Sequence, residues 1–174
     1  GVVIRFVNEK FFPEFKHFSN EIRSSYFFDK QAGLLSCYGM IYKTTDGGEN
    51  YQPCEIRGDF FTAFSFIDAN TGFAAGYNGG IYKTTNAGDS WDEIFKPNHN
   101  AGGKRIHLND IKFVDASTGY AVGDNGLVLV TEDGGSSWKA SEKISGFNLN
   151  SITVRVPGKI YISSERGKIY TISR

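Results

Sequence analysis

Three short segments combine hydroxyl and carboxylate side chains at a fixed spacing, which makes them the first candidates for chemistry. They are TTDGGENY at 44–51, TTNAGDSW at 84–91 and TEDGGSSW at 131–138. Such groups can ligate a metal ion or act as acids and bases, provided that several of them converge on one point. The second copy has Asn86 where the others have Asp46 and Asp133, so one of the three lacks the carboxylate.

Each position of the shared pattern, Thr-x-Asp-x-Gly-x-x-Trp, also has a purely local purpose. An Asp in a tight turn accepts hydrogen bonds from nearby backbone N–H groups, and the Thr hydroxyl can join them. The Gly permits a positive φ, and the Trp covers apolar surface as the next strand begins. The structural positions are Thr44, Asp46, Gly48, Tyr51; Thr84, Asn86, Gly88, Trp91; and Thr131, Asp133, Gly135, Trp138. We expect hairpin turns on separate units, because a catalytic or metal site needs groups that converge.

The motif belongs to a longer repeat. A glycine opens the apolar run before each copy, at Gly39, Gly79, Gly126 and, without a following motif, Gly167, with spacings of 40, 47 and 41 residues. Alternating apolar residues, separated by turns rich in Asn and Gly, predict four short strands in each repeat. In the second repeat the predicted strands are Thr62–Asp68, Gly72–Tyr77, Gly80–Thr84 and Trp91–Lys96.

A four-stranded antiparallel unit that recurs at this period is typical of a β-propeller blade. We predict an all-β chain of about four such blades, since one blade cannot bury both faces of its sheet without neighbours. The predicted single repeat domain covers 1–174, with units at about 26–56, 60–97, 107–142 and 148–174.

The two ends of the chain suggest how a ring would close. The last unit has predicted strands at about 150–156, 159–163 and 168–173 but no fourth strand, and the β-rich Val2–Val7 belongs to no unit. We expect Val2–Val7 to pair beside Lys168–Arg174 and complete the fourth blade of a closed monomer. Two alternatives stay open: a segment of a larger propeller, or a dimer that joins its edges into an eight-bladed ring.

The motif resembles the Asp-box, or BNR repeat, of sialidases and many other β-propellers. The run G-x-I-Y-K-T-T-D-G-G, with F-x-D-x-x-x-G-x-A-x-G upstream, is most similar to propellers of the photosystem II assembly and stability factor type and to sortilin-type repeats. The resemblance covers roughly 26–174, and the chain departs from the pattern at Tyr51, Asn86 and Ala87.

The resemblance to sialidases raises a glycoside hydrolase as an alternative. It implies an arginine triad, a Tyr–Glu nucleophile pair, an acidic Asp and an early Arg-Ile-Pro motif. VRVP at 154–157 is similar to that last motif, but it follows all three boxes, so we interpret Arg155 as a chance match. We therefore expect a non-catalytic Asp-box propeller that acts as a binding or assembly scaffold, with a sialidase-like hydrolase fragment as the alternative.

The charge, hydropathy and cysteine content of the chain restrict the classes of partner and ligand that we expect. The 174 residues contain 19 basic and 19 acidic side chains, and this neutral balance gives no footprint for nucleic acid. No run approaches the roughly 18 apolar residues of a membrane helix. Cys37 and Cys54 match no metal-ligand spacing. Placed on strands two and four of one blade they would lie about 9–10 Å apart, so we expect free thiols, no metal and no cofactor.

A propeller binds through the loops between its second and third strands and between its blades. The candidates for binding a protein or a glycan there are Tyr38, Arg57, Tyr77, Asn78, Lys104, Arg105, His107, Asp124, Asn125, Glu165 and Arg166. The longest connection, 97–107, holds a positive cluster, for which a solvated loop is the plainer interpretation. The first residue is Gly1, which fits either a remnant of expression or a mature N-terminus after removal of a signal peptide. We expect an extracellular, periplasmic or cell-surface location.

Overall fold

A computed structural model describes most of the chain, in which the regular structure is β-sheet with two short 3₁₀ turns. The described ranges are 2–7, 10–18, 20–56, 58–96, 106–141, 143–156 and 158–173. An N-terminal hairpin of β1 (Val2–Val7) and β2 (Lys10–His17) comes first. Four antiparallel sheets follow it in chain order, which confirms the predicted all-β propeller of four-stranded blades.

The first three sheets are four-stranded meanders, in which each strand pairs with the next. The first blade is β3 (Ile22–Phe27), β4 (Gly33–Cys37), β5 (Met40–Thr44) and β6 (Gln52–Pro53). The second is β7 (Phe61–Phe66), β8 (Gly72–Gly76), β9 (Ile81–Thr84) and β10 (Asp92–Phe95). The third is β11 (Leu108–Phe113), β12 (Gly119–Gly123), β13 (Val128–Thr131) and β14 (Lys139–Ala140). The fourth blade has three described strands, β15 (Leu149–Val156), β16 (Lys159–Ser164) and β17 (Ile169–Ser173).

The core lies between the blades. The first strands of successive blades contact one another, β3 against β7, β7 against β11 and β11 against β15. Each of three hydrophobic clusters spans one pair of neighbouring blades. Accordingly, every residue of β4, β8 and β12 is buried, because these second strands are covered on both faces. Each blade therefore depends on its neighbours for burial of its apolar side chains.

The predicted closure of the ring is wrong. Val2–Val7 pairs with Lys10–His17 in a separate two-stranded sheet, with Val7 opposite Lys10 and Val2 opposite His17. In the described sheets, β17 has β16 as its hydrogen-bonded neighbour. Only two residues separate β1 from β2, so this local pairing closes a very short loop, whereas pairing with Lys168–Arg174 would close one of nearly the whole chain.

Both cysteines are free thiols, as predicted. Cys37 is buried at the end of β4, and Cys54 is half-buried directly after β6. Burial raises the pKa of Cys37, and it raises that of Cys54 to about 12. Thiols with raised pKa values are poor nucleophiles at neutral pH, so neither is a candidate for catalysis.

Candidate functional site

The three motif segments fold into the same turn, which we call the box turn. In the third blade, the Oδ1 atom of Asp133 accepts hydrogen bonds from the backbone N–H of Ser137 at 2.9 Å and from the Thr131 hydroxyl at 2.8 Å. The Thr131 Oγ1 atom in turn accepts the N–H of Gly135 at 3.0 Å. The Asp133 and Thr131 side chains thus form hydrogen bonds with other groups of the same turn.

Asn86 reproduces that pattern in the second blade without a charge. Its Oδ1 atom accepts the N–H of Ser90 at 3.0 Å and the Thr84 hydroxyl at 2.9 Å. Its Nδ2 atom donates to the Ser90 hydroxyl at 2.9 Å. An amide oxygen can therefore replace the carboxylate as the acceptor of this turn.

The two carboxylates of the box turns are held in their ionised form. The N–H and the side-chain amide of Asn50 are the main causes that lower the pKa of Asp46 to about 2. The hydroxyl and N–H of Ser137 likewise lower the pKa of Asp133 to about 2. A group this acidic is a poor general acid at neutral pH. Among the described residues, no group of three or more His, Cys, Asp or Glu side chains could hold a metal ion.

The box turns also join neighbouring blades, a role that the motif itself does not reveal. Gly135 has a φ of +82°, and a Cβ there would lie 2.4 Å from the Phe73 ring of the preceding blade. Gly88 has a φ of +87°, and its Cβ would lie 2.8 Å from Leu34. The Lys43 Nζ atom bonds Asp89 of the next blade's box turn at 2.7 Å. Glycine is needed both for the turn and for the contact between blades.

The opposite ends of these strands form a second repeated arrangement. In three blades, the residue directly after the second strand donates its N–H to the carbonyl of the residue directly before the first strand. These bonds are Tyr77 to Phe60 at 2.8 Å, Asp124 to His107 at 3.1 Å and Glu165 to Asn148 at 3.0 Å. Predicted binding positions from different blades therefore occupy equivalent places at one face.

Four aromatic side chains run continuously across this face from the first blade to the third. Tyr38 meets Phe60 with ring centroids 5.3 Å apart, Phe60 meets Tyr77 at 5.9 Å, and Tyr77 stacks on His107 at 3.8 Å. We call these four residues the aromatic row. Tyr38 is 64% exposed and Tyr77 is 36% exposed. Large exposed aromatic side chains in one continuous row are typical of a binding surface.

The row rests on contacts that sequence reasoning missed. Phe60 is not among the predicted binding residues, but its ring connects Tyr38 to Tyr77. The Arg23 guanidinium lies 4.9 Å from the centroid of this ring. Arg23 lies in β3, where alternation of polar and apolar residues gives no sign of a role at this face. An aromatic residue directly before a first strand, next to a tyrosine after the second strand, is the signal that identifies Phe60.

Beyond the row, the same positions carry amide and basic groups. The Asn125 N–H donates to the Asn148 Oδ1 atom at 2.9 Å, and Asn109 bonds the Asp124 carboxylate at 3.2 Å. In the fourth blade, the Arg166 guanidinium lies 4.8 Å from the centroid of the Phe147 ring. Thus the face changes in character from aromatic to polar along the chain.

The structure brings several predicted binding residues together and leaves others undescribed. Tyr38, Tyr77 and His107 join in the row, and Asn78 borders the cleft described next. Asp124 accepts a hydrogen bond from Asn109 within the third blade, and Asn125 donates its N–H to Asn148, which directly precedes the fourth blade. Glu165 and Arg166 occupy the equivalent turn of the fourth blade. Arg57, Lys104 and Arg105 lie outside the described residues.

A cleft of about 1130 Å³ lies between the first and second blades, next to the aromatic row. The described residues that line it are Tyr38, Met40, Pro53, Cys54, Glu55, Ile56, Gly58, Asp59, Asn78, Gly80, Tyr82, Trp91, Glu93 and Lys96. Asp59 is buried and accepts the N–H groups of Phe60 at 2.7 Å and Asn78 at 2.8 Å. The Tyr82 hydroxyl lies 3.4 Å from Asp59 and 3.5 Å from Glu93, between two carboxylates.

The chemistry of these groups does not match the nucleophile pair of a sialidase. Burial first, and then the carboxylates of Asp59 and Glu93, raise the pKa of Tyr82, whereas a tyrosine nucleophile needs its pKa lowered. Burial also raises the pKa of Asp59, but that carboxylate is held by backbone N–H groups. Arg155 is exposed on β15, in the fourth blade. Tyr82 therefore does not match the tyrosine nucleophile that the resemblance to sialidases implies.

Comparison with known proteins places the chain among repeat propellers. YCF48 bound to a D1 peptide matches 89% of this chain at 25% identity with a TM-score of 0.63, over 52% of its own chain. YCF48 from Cyanidioschyzon merolae matches 89% at 22% identity and the same TM-score of 0.63, over 54% of its chain. The GH74 enzyme of Niastella koreensis matches 87% of the chain at 14% identity and a TM-score of 0.68, over 28% of its own chain.

The chain thus spans about half the length of the YCF48 structures that it matches. No protein-family model and no curated protein sequence matches it. In the described part of the chain, no helix has the length and hydropathy to cross a membrane. The predicted resemblance to propellers of the photosystem II assembly and stability factor type is confirmed, and the likeness to the GH74 enzyme concerns the fold alone.

Proposed function

We propose that this chain is a non-catalytic propeller module that binds an extended segment of a protein partner along the aromatic row. The observation that carries this proposal is the row itself, in which Tyr38, Phe60, Tyr77 and His107 connect three blades at one face. Tyrosine rings in such a position contribute large contact areas at a low cost in conformational entropy.

The dimensions of the row fit a short peptide. The path through the successive ring centroids is about 15 Å, so the row is at most that long. This length corresponds to no more than about four to five residues of extended chain. Tyr38 and Tyr77 have hydroxyl groups that can bond a peptide backbone while their rings pack against its side chains. An extended segment therefore meets both apolar and polar groups along its length.

The similarity to YCF48 supports a protein partner. One of the two YCF48 structures contains a bound peptide, and it is 25% identical to this chain over most of the chain's length. The cleft argues against the sialidase-like alternative, because the pKa of its buried Tyr82 is raised and a tyrosine nucleophile needs a lowered pKa.

Selection of ligands from a phage-displayed library of random peptides tests this proposal. The affinity of the selected peptides is then measured by isothermal titration calorimetry for the wild type and for Tyr77→Ala and Tyr38→Ala. We expect each variant to weaken binding about tenfold or more, since aromatic anchors dominate interface energies. Ile169→Ala removes an apolar side chain that is 71% exposed in the fourth blade, and we expect it to leave the affinity unchanged.

A glycan array in parallel separates the two candidate classes of partner. Glycan binding that depends on Tyr77, without selection of any peptide, would overturn the proposed protein partner. Selected peptides whose affinity is the same in wild type and in both tyrosine variants would overturn the assignment of the row. Circular dichroism of each variant excludes loss of fold as the cause of weaker binding.

A further inference from the structure

The cleft between the first and second blades is continuous with the aromatic row, and its charge points to a particular kind of side chain. Tyr38 belongs to both, and Asn78 directly follows Tyr77 of the row. We propose that the cleft accommodates a lysine or arginine side chain carried by the segment that lies on the row. This inference rests on the proposed function and specifies the chemistry of the partner.

The charged groups that line the described part of the cleft favour a cation. Three of them are carboxylates, Glu55, Asp59 and Glu93, and one is an ammonium group, Lys96. Two of the carboxylates belong to the second blade and one to the first, so a cation in the cleft meets negative charge from both of its walls. A carboxylate ligand would instead meet repulsion from these groups.

Lys96, the ammonium group in the described lining, leaves the carboxylates of the cleft accessible to a second cation. Lys96 lies 3.5 Å from Glu93, but its side chain is 79% exposed, so water surrounds most of it. Exposed ion pairs of this kind contribute little, and Lys96 can turn into solvent when a second cation binds Glu93. The Glu55 side chain is exposed at the opposite wall, where it remains accessible to a ligand.

Aromatic side chains complete the cleft in a way that also suits a cation. The rings of Trp91 and Tyr82 lie in its wall, and both are buried in the hydrophobic cluster between the two blades. The Trp91 Nε1 atom donates to Gly88 at 3.0 Å, which fixes the indole in place. A guanidinium or ammonium group gains from contact with aromatic faces as well as from carboxylates, whereas a neutral side chain gains less.

The two tryptophans of the chain, Trp91 and Trp138, allow a direct measurement. Their indole N–H signals in a ¹H–¹⁵N spectrum are assigned with a Trp91→Phe variant. The protein is then titrated with N-acetyl-arginine amide and, separately, with N-acetyl-citrulline amide, its neutral isostere. We expect the arginine compound to shift the Trp91 signal and to leave the Trp138 signal in place, because Trp138 is buried in the other cluster, between the second and third blades. We expect the citrulline compound to shift neither.

Two substitutions test the carboxylates. Glu93→Gln and Glu55→Gln keep the size of each side chain, and we expect each to weaken arginine binding about two- to fivefold. Glu132→Gln neutralises an exposed acid in the box turn of the third blade and serves as the matched control, with no expected effect. Equal shifts with the arginine and citrulline compounds, or unchanged affinity in both cleft variants, would overturn the proposal.

The peptides selected on the row provide an independent outcome. We expect them to be enriched in lysine or arginine at one position, and Glu93→Gln to weaken their binding while Tyr77→Ala weakens it further. Peptides that need Tyr77 but show no basic position and no effect of Glu93→Gln would overturn the cleft proposal and leave the row intact. Arginine binding at Trp91 without any peptide on the row would support the cleft's preference for cations and refute the proposed function.

Discussion

At the scale of single residues, the box turn depends on an acceptor at one position and a glycine two residues later. Asp46, Asn86 and Asp133 all bond the backbone N–H four residues ahead with the same oxygen. The two carboxylates differ from the amide in being titratable, and their hydrogen bonds strongly favour the ionised form. The contribution of this turn to stability therefore depends on pH in the first and third blades, which carry Asp46 and Asp133, and not in the second blade, which carries Asn86.

Urea unfolding of an Asp133→Asn variant at a series of pH values measures how much the carboxylate contributes to stability. The folded pKa of Asp133 is about 2, below its ordinary value of 3.8. Its contribution to stability is therefore present above about pH 4 and is lost as the pH falls toward 2. We expect wild type to be more stable than the variant at pH 6 and this difference to shrink as the pH falls through that window, measured by urea unfolding.

The variant itself is expected to fold, because Asn86 already occupies the equivalent position with the same acceptor geometry. Asp46→Asn is the companion substitution in the first blade and is expected to change the pH dependence in the same direction. Unfolding free energies that run parallel for wild type and both variants between pH 6 and pH 2 would contradict the assignment.

At the scale of elements, the box turns and the second strands hold the blades together. Gly135 approaches Phe73 of β8, and Gly88 approaches Leu34 of β4, so each turn packs against the buried strand of the preceding blade. The need for a positive φ in a hairpin explains the glycine of the motif, but it does not predict that the glycine also packs against the preceding blade. The turn is therefore part of the interface between blades.

Substitution of two adjacent glycines in the third blade's box turn distinguishes the cost of the backbone angle from the cost of the contact between blades. Gly134 and Gly135 both have a positive φ, at +67° and +82°. A Cβ at Gly134 would lie 3.2 Å from a carbonyl oxygen, whereas one at Gly135 would lie 2.4 Å from the Phe73 ring. We expect Gly134→Ala to cost about 1 kcal/mol for its backbone angle. Gly135→Ala should cost about 1–3 kcal/mol more because the ring must move.

Equilibrium unfolding in urea gives both values under one set of conditions. Equal destabilisation by the two substitutions would mean that the contact with the preceding blade contributes nothing. A larger cost for Gly135→Ala would place that contact among the interactions that fix the blades relative to one another.

At the scale of the whole molecule, the hydrophobic clusters lie between blades, so neighbouring blades are expected to lose structure together. Phe73 of β8 and Phe113 of β11 stack with centroids 4.0 Å apart and 15° between their planes. Both belong to the cluster shared by the second and third blades. Propellers of this kind gain their stability from interfaces between repeats more than from any single repeat.

A Phe73→Ala variant tests that coupling. The ring is fully buried, so its removal is expected to cost about 3–5 kcal/mol. Hydrogen exchange should show lower protection in β8 of the second blade and in β12 of the third, with a smaller change in β16 of the fourth. Ile169→Ala, which removes an exposed side chain, is the control. Loss of protection confined to the second blade would contradict the coupling.

The sequence determined the features whose causes are local. Strand alternation and turn residues predicted the blades, with the second blade's strands at Phe61–Phe66, Gly72–Gly76, Ile81–Thr84 and Asp92–Phe95 close to their expected positions. The bonding groups of the box turn lie within a few residues of one another. The period of the repeat and the spacing of residues within the motif are therefore sufficient to predict the blades and the box turns.

Only the tertiary structure decided what joins distant parts of the chain. It pairs Val2–Val7 with the adjacent strand, whereas the sequence favoured closure with the last blade. It also aligns Tyr38, Phe60, Tyr77 and His107 into one row and forms the cleft beside them. These contacts depend on how one blade is rotated and packed against the next, and that packing is set by side chains far apart in sequence, which no local pattern records.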